Sequence, residues 1–572
     1  MGPDKPLPYD ETHFDSADAY VDSLLHFIGT NELLQTLCGG VHLLDFFTSD
    51  PDLYSRILPQ VWRDFFAQCG STMDLLDLFM REDLEQFSAG DQWRGGPPPP
   101  TSLVEYLKEV RKHLLDRSVQ TSQCSQNRTQ KKLARHVAVG MNLKKVHEVG
   151  LYASYIDSLA TSIQHTSGQS ISHLIDFGSG QNYLGRALAS EPYNRDIVAI
   201  ESKPHNAERA KDFDVKARIV EKERVMRDKK AHRAGATAEI TRAAPPRSEE
   251  AKKKWPEIER KEAIRYVEHR IRDGELRDVL SQFPGGEDGE DGVMIISLHS
   301  CGNLVHHGLR SLVLNPSVKA VAMVGCCYNL LTERLGPATY KHPELRPTTH
   351  FHPRLRGNAD ANDNSCDPHG FPMSDRLLEA HEGRGVRLNI TARMMAAQAP
   401  QNWGEKDSEA FFTRHFYRAL LQRVFLDKGV VGPPSKECVG GASPSGHSSG
   451  GTPITIGSLR KGCYESFPAY VRGALAKLHT SSSPLSDLIS TKLSDITDAE
   501  LTTYSTQYVS RKKDLSVIWS LMAFSAGVIE AAILVDRWCW LKEQQEVGEA
   551  WVESVFEYGV SPRNLVVVGV KK

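Results

Sequence analysis

The sequence predicts an α/β fold in which crossover helices cover a parallel β-sheet. Short β-rich runs at 174–177 and 197–200 are separated by a glycine turn and a helix-like stretch at 183–190. Two further β-rich runs, at 293–298 and 318–324, continue the pattern. Because strands that alternate with helices pair in parallel, this alternation predicts a parallel sheet.

The rest of the chain divides into a helical start and two insertions. Apolar residues at helical spacing predict an N-terminal helical region over 1–135, and the α/β domain then covers 136–572. A charged stretch at about 221–290 predicts an insertion that is partly disordered and partly a solvated helix. A Gly-, Ser- and Pro-rich stretch at 429–457 predicts a second insertion. A weak β pattern near 217–220 is the expected third strand.

The bulk composition predicts a globular protein inside the cell. Hydrophobic residues make up 40% and charged residues 25% of the 572 residues, and the net charge of -3 gives no overall attraction to nucleic acid. The acidic start lacks the pattern of a secretory signal, and the ten cysteines suit a reducing compartment. We expect a cytoplasmic or nuclear protein. Glu530 interrupts the apolar run 515–535, which predicts a buried helix and no membrane contact.

A glycine turn and two acidic residues form the predicted ligand site. Gly178 and Gly180 follow the first strand, and without a Cβ they let a ligand lie against the backbone. Glu201 ends the next strand, about 20 residues on, where an acidic side chain meets ribose hydroxyls in nucleotide-binding α/β folds. The predicted contacts are Asp176, Gly178, Ser179, Gly180 and Glu201. The alternative is an ordinary tight turn with a solvent-facing Glu201.

The spacing of the glycines argues against a dinucleotide. A dinucleotide fingerprint needs a third glycine three residues after the second, and this chain has Tyr183 there. A nicotinamide oxidoreductase therefore ranks last among the functions considered. A sulfonium nucleoside, which carries no phosphate, needs only the close turn and the acidic residues.

Several segments, in the expected order, carry a family resemblance. The matching pieces are Met141-Asn-Leu-Lys-Lys-Val-His-Glu-Val149, Asp176-Phe-Gly-Ser-Gly180, Leu298-His-Ser-Cys-Gly-Asn-Leu304, Val324-Gly-Cys-Cys-Tyr328, Phe371-Pro-Met-Ser374 and Ser561-Pro-Arg-Asn564. With these the chain resembles the methyltransferase-like protein 25 family, whose relatives include proteins labelled as ribosomal RNA adenine dimethylase domain-containing.

The resemblance implies a Rossmann-like, seven-stranded class I methyltransferase sheet with S-adenosyl-L-methionine as cofactor. It also implies a final strand that enters the sheet antiparallel. Among acceptors it slightly favours RNA, and the partner would be RNA or a ribonucleoprotein. One departure stands out: the family usually has Lys-Gly after the second glycine, where this chain has Gln181 and Asn182.

Candidate catalytic residues lie at the end of the fourth strand. His299 is a candidate base, because a histidine side chain can take up a proton near physiological pH, and Cys301 follows two residues later. The Asn/Asp/Ser-Pro-Pro-aromatic motif of amino-directed enzymes is absent here, so the dimethylase label lacks support. The Cys-Gly and Cys-Cys pieces instead look like those of a transfer RNA 2′-O-methyltransferase family. Cys301, Cys326 and Cys327 could form a thiol cluster with His299. Because the chain lacks a Cys-x-x-Cys pair, the favoured reading is small hydrophobes, and no metal site is predicted.

The helix before the first strand supplies the remaining candidates. Lys145 and His147 precede the first strand, where methyltransferases often place a helix over the methionine end of the cofactor. An ordinary helix start with surface charge fits them equally well. Two functions are left open: an active methyltransferase, and a binding or scaffold protein that keeps the fold without turnover.

Overall fold

The computed structural model describes residues 2–119, 133–168, 170–217, 219, 263–283, 292–335, 367–433, 453–479 and 484–572. Within them, seven strands form one sheet: β1 (Ile171–Phe177), β2 (Asp196–Glu201), β3 (Ile264–Glu268), β4 (Gly292–Cys301), β5 (Val318–Cys327), β6 (Val547–Ser554) and β7 (Leu565–Lys571). Their order across the sheet is β3-β2-β1-β4-β5-β7-β6.

The strand pairing confirms the predicted fold class. The five strands from β3 to β5 are parallel, and β7 enters antiparallel between β5 and β6. Such an arrangement needs helical crossovers between the parallel strands, and a tight turn suffices between β6 and β7. The sheet is therefore the Rossmann-like, seven-stranded one that the resemblance implied.

The α-helices within the described residues fall into an N-terminal group, a sheet-covering group and a C-terminal group. The first comprises α1 (Ala17–Thr30), α2 (Glu32–Gln35), α3 (Leu53–Ile57), α4 (Gln60–Gln68), α5 (Thr72–Met80) and α6 (Thr101–Lys112). The second comprises α7 (Leu143–Ser167), α8 (Tyr183–Ala189), α9 (Pro204–Lys216), α10 (Arg277–Leu280) and α11 (Leu304–Leu314). The third comprises α12 (Asp375–Glu379), α13 (Ile390–Met395), α14 (Glu405–Asp427), α15 (Phe467–His479), α16 (Pro484–Leu493), α17 (Asp498–Tyr508) and α18 (Lys512–Glu543).

Successive side chains of β1 enter two different hydrophobic clusters, one on each face of the sheet. Leu174 packs with α7 and α8 in one cluster, whereas Ile175 and Phe177 pack with α11 and α18 in the other. This alternation follows from the two-residue repeat of a strand. The Tyr152 hydroxyl donates a 2.7 Å hydrogen bond to the Ala322 carbonyl and ties α7 to the sheet.

The N-terminal helices share their hydrophobic cluster with the sheet through α18. The hydroxyls of Tyr106 on α6 and Ser525 on α18 lie 2.7 Å apart, and both side chains are buried. The helical run Asp498–Glu543 is long and apolar enough to cross a membrane by length and composition, yet 94% of its most apolar window is buried inside the protein. The buried helix predicted at 515–535 is therefore confirmed, and it serves as a core element.

The third strand lies outside the predicted position. Ala217 caps α9, and β3 begins at Ile264, inside the range predicted as an insertion. Ile264 and Val267 are buried, but Arg265 and Tyr266 lie between them, so the sequence of this edge strand resembles the charged segment before it. The prediction near 217–220 was wrong for this reason. Of the insertions predicted at about 221–290 and 429–457, residues 221–262, 284–290 and 434–452 lie outside the described residues.

Candidate functional site

The glycine turn lies at the carboxyl end of β1, on the edge of the sheet. Gly178 and Gly180 have φ values of 67° and 58°, a region that residues with a side chain rarely occupy. A Cβ at Gly178 would lie 3.0 Å from a Leu304 methyl carbon. The Ser179 amide donates a 3.0 Å hydrogen bond to the Ile200 carbonyl, which fixes the turn against β2. Gly178 is exposed, so the backbone at this turn is open to a ligand.

Glu201 meets this turn directly. Its Oε2 accepts a 2.9 Å hydrogen bond from the Gly180 amide, and its Oε1 accepts one of 2.9 Å from the Lys203 amide. The residue is 7% exposed. Oε1 also accepts a longer, 3.4 Å hydrogen bond from the Ser202 hydroxyl, whereas Oε2 keeps a second lone pair that can accept a hydrogen bond from a ligand. The predicted convergence of the turn and Glu201 is thus present.

Asp176 is a buried carboxyl beside Glu201. It is 3% exposed, and within the described part of the chain no hydrogen bond reaches its side chain. Burial, reinforced by the negative charge of Glu201, raises the pKa of Asp176 to about 8. With this pKa the carboxyl is largely protonated at neutral pH and can donate a hydrogen bond to a ligand.

The departure at Gln181 and Asn182 has a structural explanation. Asn182 is buried and has a φ of 52°, the left-handed conformation that asparagine tolerates better than other residues with a side chain. Its Nδ2 donates a 2.9 Å hydrogen bond to the Tyr266 hydroxyl. The Gln181 carbonyl accepts a 3.0 Å hydrogen bond from the buried Arg186. Asparagine therefore supports here the conformation that glycine would provide.

The two helix residues predicted to contact the cofactor have different surroundings. Lys145 Nζ lies 4.5 Å from the centre of the Tyr183 ring, beside the glycine turn. His147 Nε2 accepts a 3.3 Å hydrogen bond from the Glu557 amide, and its ring lies 6.3 Å from that of Phe556. The structure thus places Lys145 against Tyr183, at the start of the helix that follows the turn, and His147 at the connection between β6 and β7.

His299 has a partner that sequence reasoning did not assign to it. Its Nε2 lies 3.0 Å from Oε2 of Glu148, whose side chain is 1% exposed, whereas that of His299 is 38% exposed. Burial alone would raise the pKa of Glu148, but the hydrogen bond and charge of His299 hold it below its usual value. His299 has a φ of 67°, so the backbone is strained at this point. The only signal in the sequence was an acid on the helix that covers the same edge.

Cys301, the second predicted catalytic residue, is exposed at the last position of β4. Its sulfur lies among those of Cys326 and Cys327. Because β1 and β4 are parallel neighbours, with Asp176 opposite Ile296, the glycine turn, His299 and Cys301 all lie at the carboxyl edge of the sheet. Ligands of open α/β sheets bind at this edge.

A separate cavity of about 420 Å³ lies between α1 and α13, lined by residues that include Cys38, His381 and Asn389. None of its lining residues belongs to the glycine turn. The assignment of the cofactor site therefore depends on the chemistry of the turn and its acidic residues and not on the shape of that cavity.

The strand order is consistent with the sheet of a class I methyltransferase domain. Residues 144–334 match a family model described as a methyltransferase domain. The chain is 28% identical to human (Homo sapiens) "Probable methyltransferase-like protein 25" over 302 residues, which are 52% of this chain and 39% of that protein. The mouse (Mus musculus) protein of the same name is 29% identical over 302 residues, 52% of this chain and 40% of its own length. The chain thus spans about two fifths of the curated relatives it matches. The adenine dimethylase label stays untested.

Proposed function

We propose that this chain is an S-adenosylmethionine-dependent methyltransferase that acts on RNA. The observation that carries the first part is the 2.9 Å hydrogen bond between the Gly180 amide and Glu201, which unites the turn and the carboxylate into one site. S-adenosylmethionine, when bound, supplies an electrophilic methyl group on a positively charged sulfur.

Each predicted cofactor residue has a role in this proposal. The open backbone of Gly178, Ser179 and Gly180 lets the nucleoside lie close, and Glu201 accepts hydrogen bonds from the ribose hydroxyls. Asp176, buried beside Glu201, adds a second polar group to the same site. Lys145 lies over the Tyr183 ring at the start of α8, the helix that follows the turn. His147, which faces the connection between β6 and β7, acts at most through the position of α7.

His299 is the proposed proton acceptor. Methyl transfer needs the acceptor atom to be held in line with the sulfonium carbon, and a hydroxyl acceptor must also lose its proton. With Nε2 bound to Glu148, the imidazole has Nδ1 left to take that proton. Cys301 lies two residues further on at the same edge and is a second residue within reach of an acceptor.

The choice of RNA rests on two supports. The Cys-Gly and Cys-Cys segments resemble those of a transfer RNA 2′-O-methyltransferase family. In addition, two lysines extend the edge with positive charge: Lys144, 3.7 Å from Glu148 with a side chain that is 49% exposed, and the exposed Lys203, next to Glu201. Cations beside the acceptor position favour a polyanion through its phosphates.

The test is transfer of a labelled methyl group into cell extract. The purified chain is incubated with radiolabelled S-adenosylmethionine and extract, and the product is digested separately with nuclease and protease. Label that nuclease releases, and that is lost in Gly178→Arg, supports the proposal. Gly168→Arg is the matched control, because Gly168 also has a positive φ of 69° but lies at the other end of β1 in open space.

Two outcomes would contradict the proposal. Label that only protease releases would refute RNA as the acceptor. Cofactor binding without label in any fraction would favour the alternative, a binding or scaffold protein that keeps the fold without turnover.

A further inference from the structure

Three cysteine sulfurs form a cluster at the ends of β4 and β5. The Sγ atoms of Cys301 and Cys326 lie 3.7 Å apart, those of Cys301 and Cys327 3.3 Å, and those of Cys326 and Cys327 3.4 Å. Cys301 is exposed and the other two are half-buried. Three sulfurs in mutual contact, one of them open to solvent, can act together as soft ligands for a metal ion that arrives from solvent.

The register of the sheet creates this cluster. Cys301 is the direct partner of Cys327 across the two parallel strands, after a register shift at Ser300. At Cys327 the backbone is no longer extended, with φ of -105° and ψ of 73°. In a regular strand Cys326 and Cys327 would point to opposite faces, and this change of conformation ends that alternation. The sequence analysis considered a cluster of these three thiols with His299 but predicted no metal site, because the chain lacks a Cys-x-x-Cys pair.

The sulfur separations fit a metal ion. In a tetrahedral site with Zn–S bonds of about 2.3 Å, neighbouring sulfurs are about 3.8 Å apart. The observed 3.3 to 3.7 Å therefore requires the sulfurs to move apart by only a few tenths of an ångström. These distances suit three ligands of one ion.

A buried cation also lies near the cluster. Arg537 is 1% exposed, and within the part of the chain that the structure describes its Nε and Nη1 have no hydrogen-bond partner. It lies behind the cluster: a Cβ at Gly325, next to Cys326, would be 2.7 Å from Nη1. Two carboxylates act on its charge but bind elsewhere: Asp536 accepts hydrogen bonds from the Met373 and Ser374 amides, and Glu530 is paired with Arg117 and Arg563. Further negative charge stabilises a buried guanidinium, and three thiolates around a divalent ion carry a net negative charge.

We propose that Cys301, Cys326 and Cys327 bind one Zn²⁺ ion through three thiolates and leave a fourth position open on the exposed side of Cys301. Each thiol releases its proton to solvent as its sulfur binds the ion. His299 does not supply the fourth ligand, because its ring is directed to Glu148. The open position takes water or a soft ligand and faces the edge that carries the glycine turn. This site does not depend on the proposed function.

The test is the metal content of the full chain. The protein is purified without a polyhistidine tag under reducing conditions, supplied with Zn²⁺ alone, desalted and analysed by mass spectrometry of the elements. We expect about one zinc per chain and at least a tenfold loss of affinity against a chelator in Cys301→Ser and Cys327→Ser. Cys463→Ser is the matched control, a half-buried thiol outside the cluster.

Cobalt gives a second measurement that does not depend on variants. Co²⁺ added to the wild-type chain should produce thiolate charge-transfer absorption and the visible bands of tetrahedral coordination, and Cys301→Ser, whose side chain is exposed, should weaken them without unfolding the protein. Three results would each overturn the proposal. The first is equal zinc content in wild type and cluster variants, and the second is the absence of both zinc and cobalt bands. The third is a Cys301–Cys327 disulfide in the purified chain.

Discussion

His299 Nε2 and Glu148 Oε2 lie 3.0 Å apart, so a residue of α7 orients the side chain at the end of β4. The buried carboxylate holds the imidazole in one tautomer and one direction. Because Nε2 is bound to Glu148, the other ring nitrogen of His299, Nδ1, is the one that can take a proton from an acceptor.

We expect His299→Ala to lower kcat by about 100-fold or more, because a positioned base typically contributes that much. Glu148→Gln, which keeps the shape of the side chain but lacks its charge, should lower kcat by about 10-fold, because the tautomer is less firmly held. Steady-state methyl transfer with the labelled acceptor measures both. The dissociation constant of S-adenosylmethionine should stay within about twofold, and kcat unchanged in both variants would refute the role of His299.

The pKa of Asp176 makes stability depend on pH. Its pKa is about 8 in the folded protein and about 3.9 when unfolded, so between these values the folded state holds a proton that the unfolded state lacks. The stability from this group is present below about pH 4 and is lost as the pH rises to about 8. Asp176→Asn removes the effect.

We therefore expect the free energy of unfolding of Asp176→Asn, relative to wild type, to rise by up to roughly 1.4 kcal/mol per pH unit between about pH 5 and 8. Urea unfolding at a series of pH values measures it. Asp212→Asn, on the exposed side of α9, is the control for removal of one carboxyl. A difference that is constant with pH would contradict the burial of a protonated Asp176.

Asn182 gives a prediction about backbone conformation. Because its φ is 52°, Asn182→Gly should keep the turn, whereas Asn182→Val should destabilise the protein by about 2 kcal/mol, since β-branched residues are strained there. Tyr266→Phe removes the partner of the Asn182 side chain and separates the loss of the hydrogen bond from the backbone effect. Equal unfolding energies for the glycine and valine variants would show that the turn does not require this conformation.

Much of this arrangement was predictable from local pattern. Strands β1, β2, β4 and β5 were predictable because each is a buried apolar run, and the meeting of Gly180 with Glu201 follows from the parallel pairing of β1 and β2. Strand β3 was not predictable, because its two buried apolar residues, Ile264 and Val267, are separated by Arg265 and Tyr266 and follow a charged segment. The Glu148–His299 pair and the thiol cluster join residues that are distant in sequence, and only the packing of α7 and the register of β4 on β5 bring them together.

The central claim is that the glycine turn and Glu201 bind one adenosine group. Titration calorimetry with S-adenosylmethionine tests it most directly, using wild type, Gly178→Arg, Glu201→Ala and the control Gly168→Arg. We expect one site per chain, with affinity reduced by about tenfold or more in the first two variants, about 1.4 kcal/mol, and unchanged in the control. No heat of binding to the folded wild-type chain, or equal affinity in all four proteins, would contradict the claim.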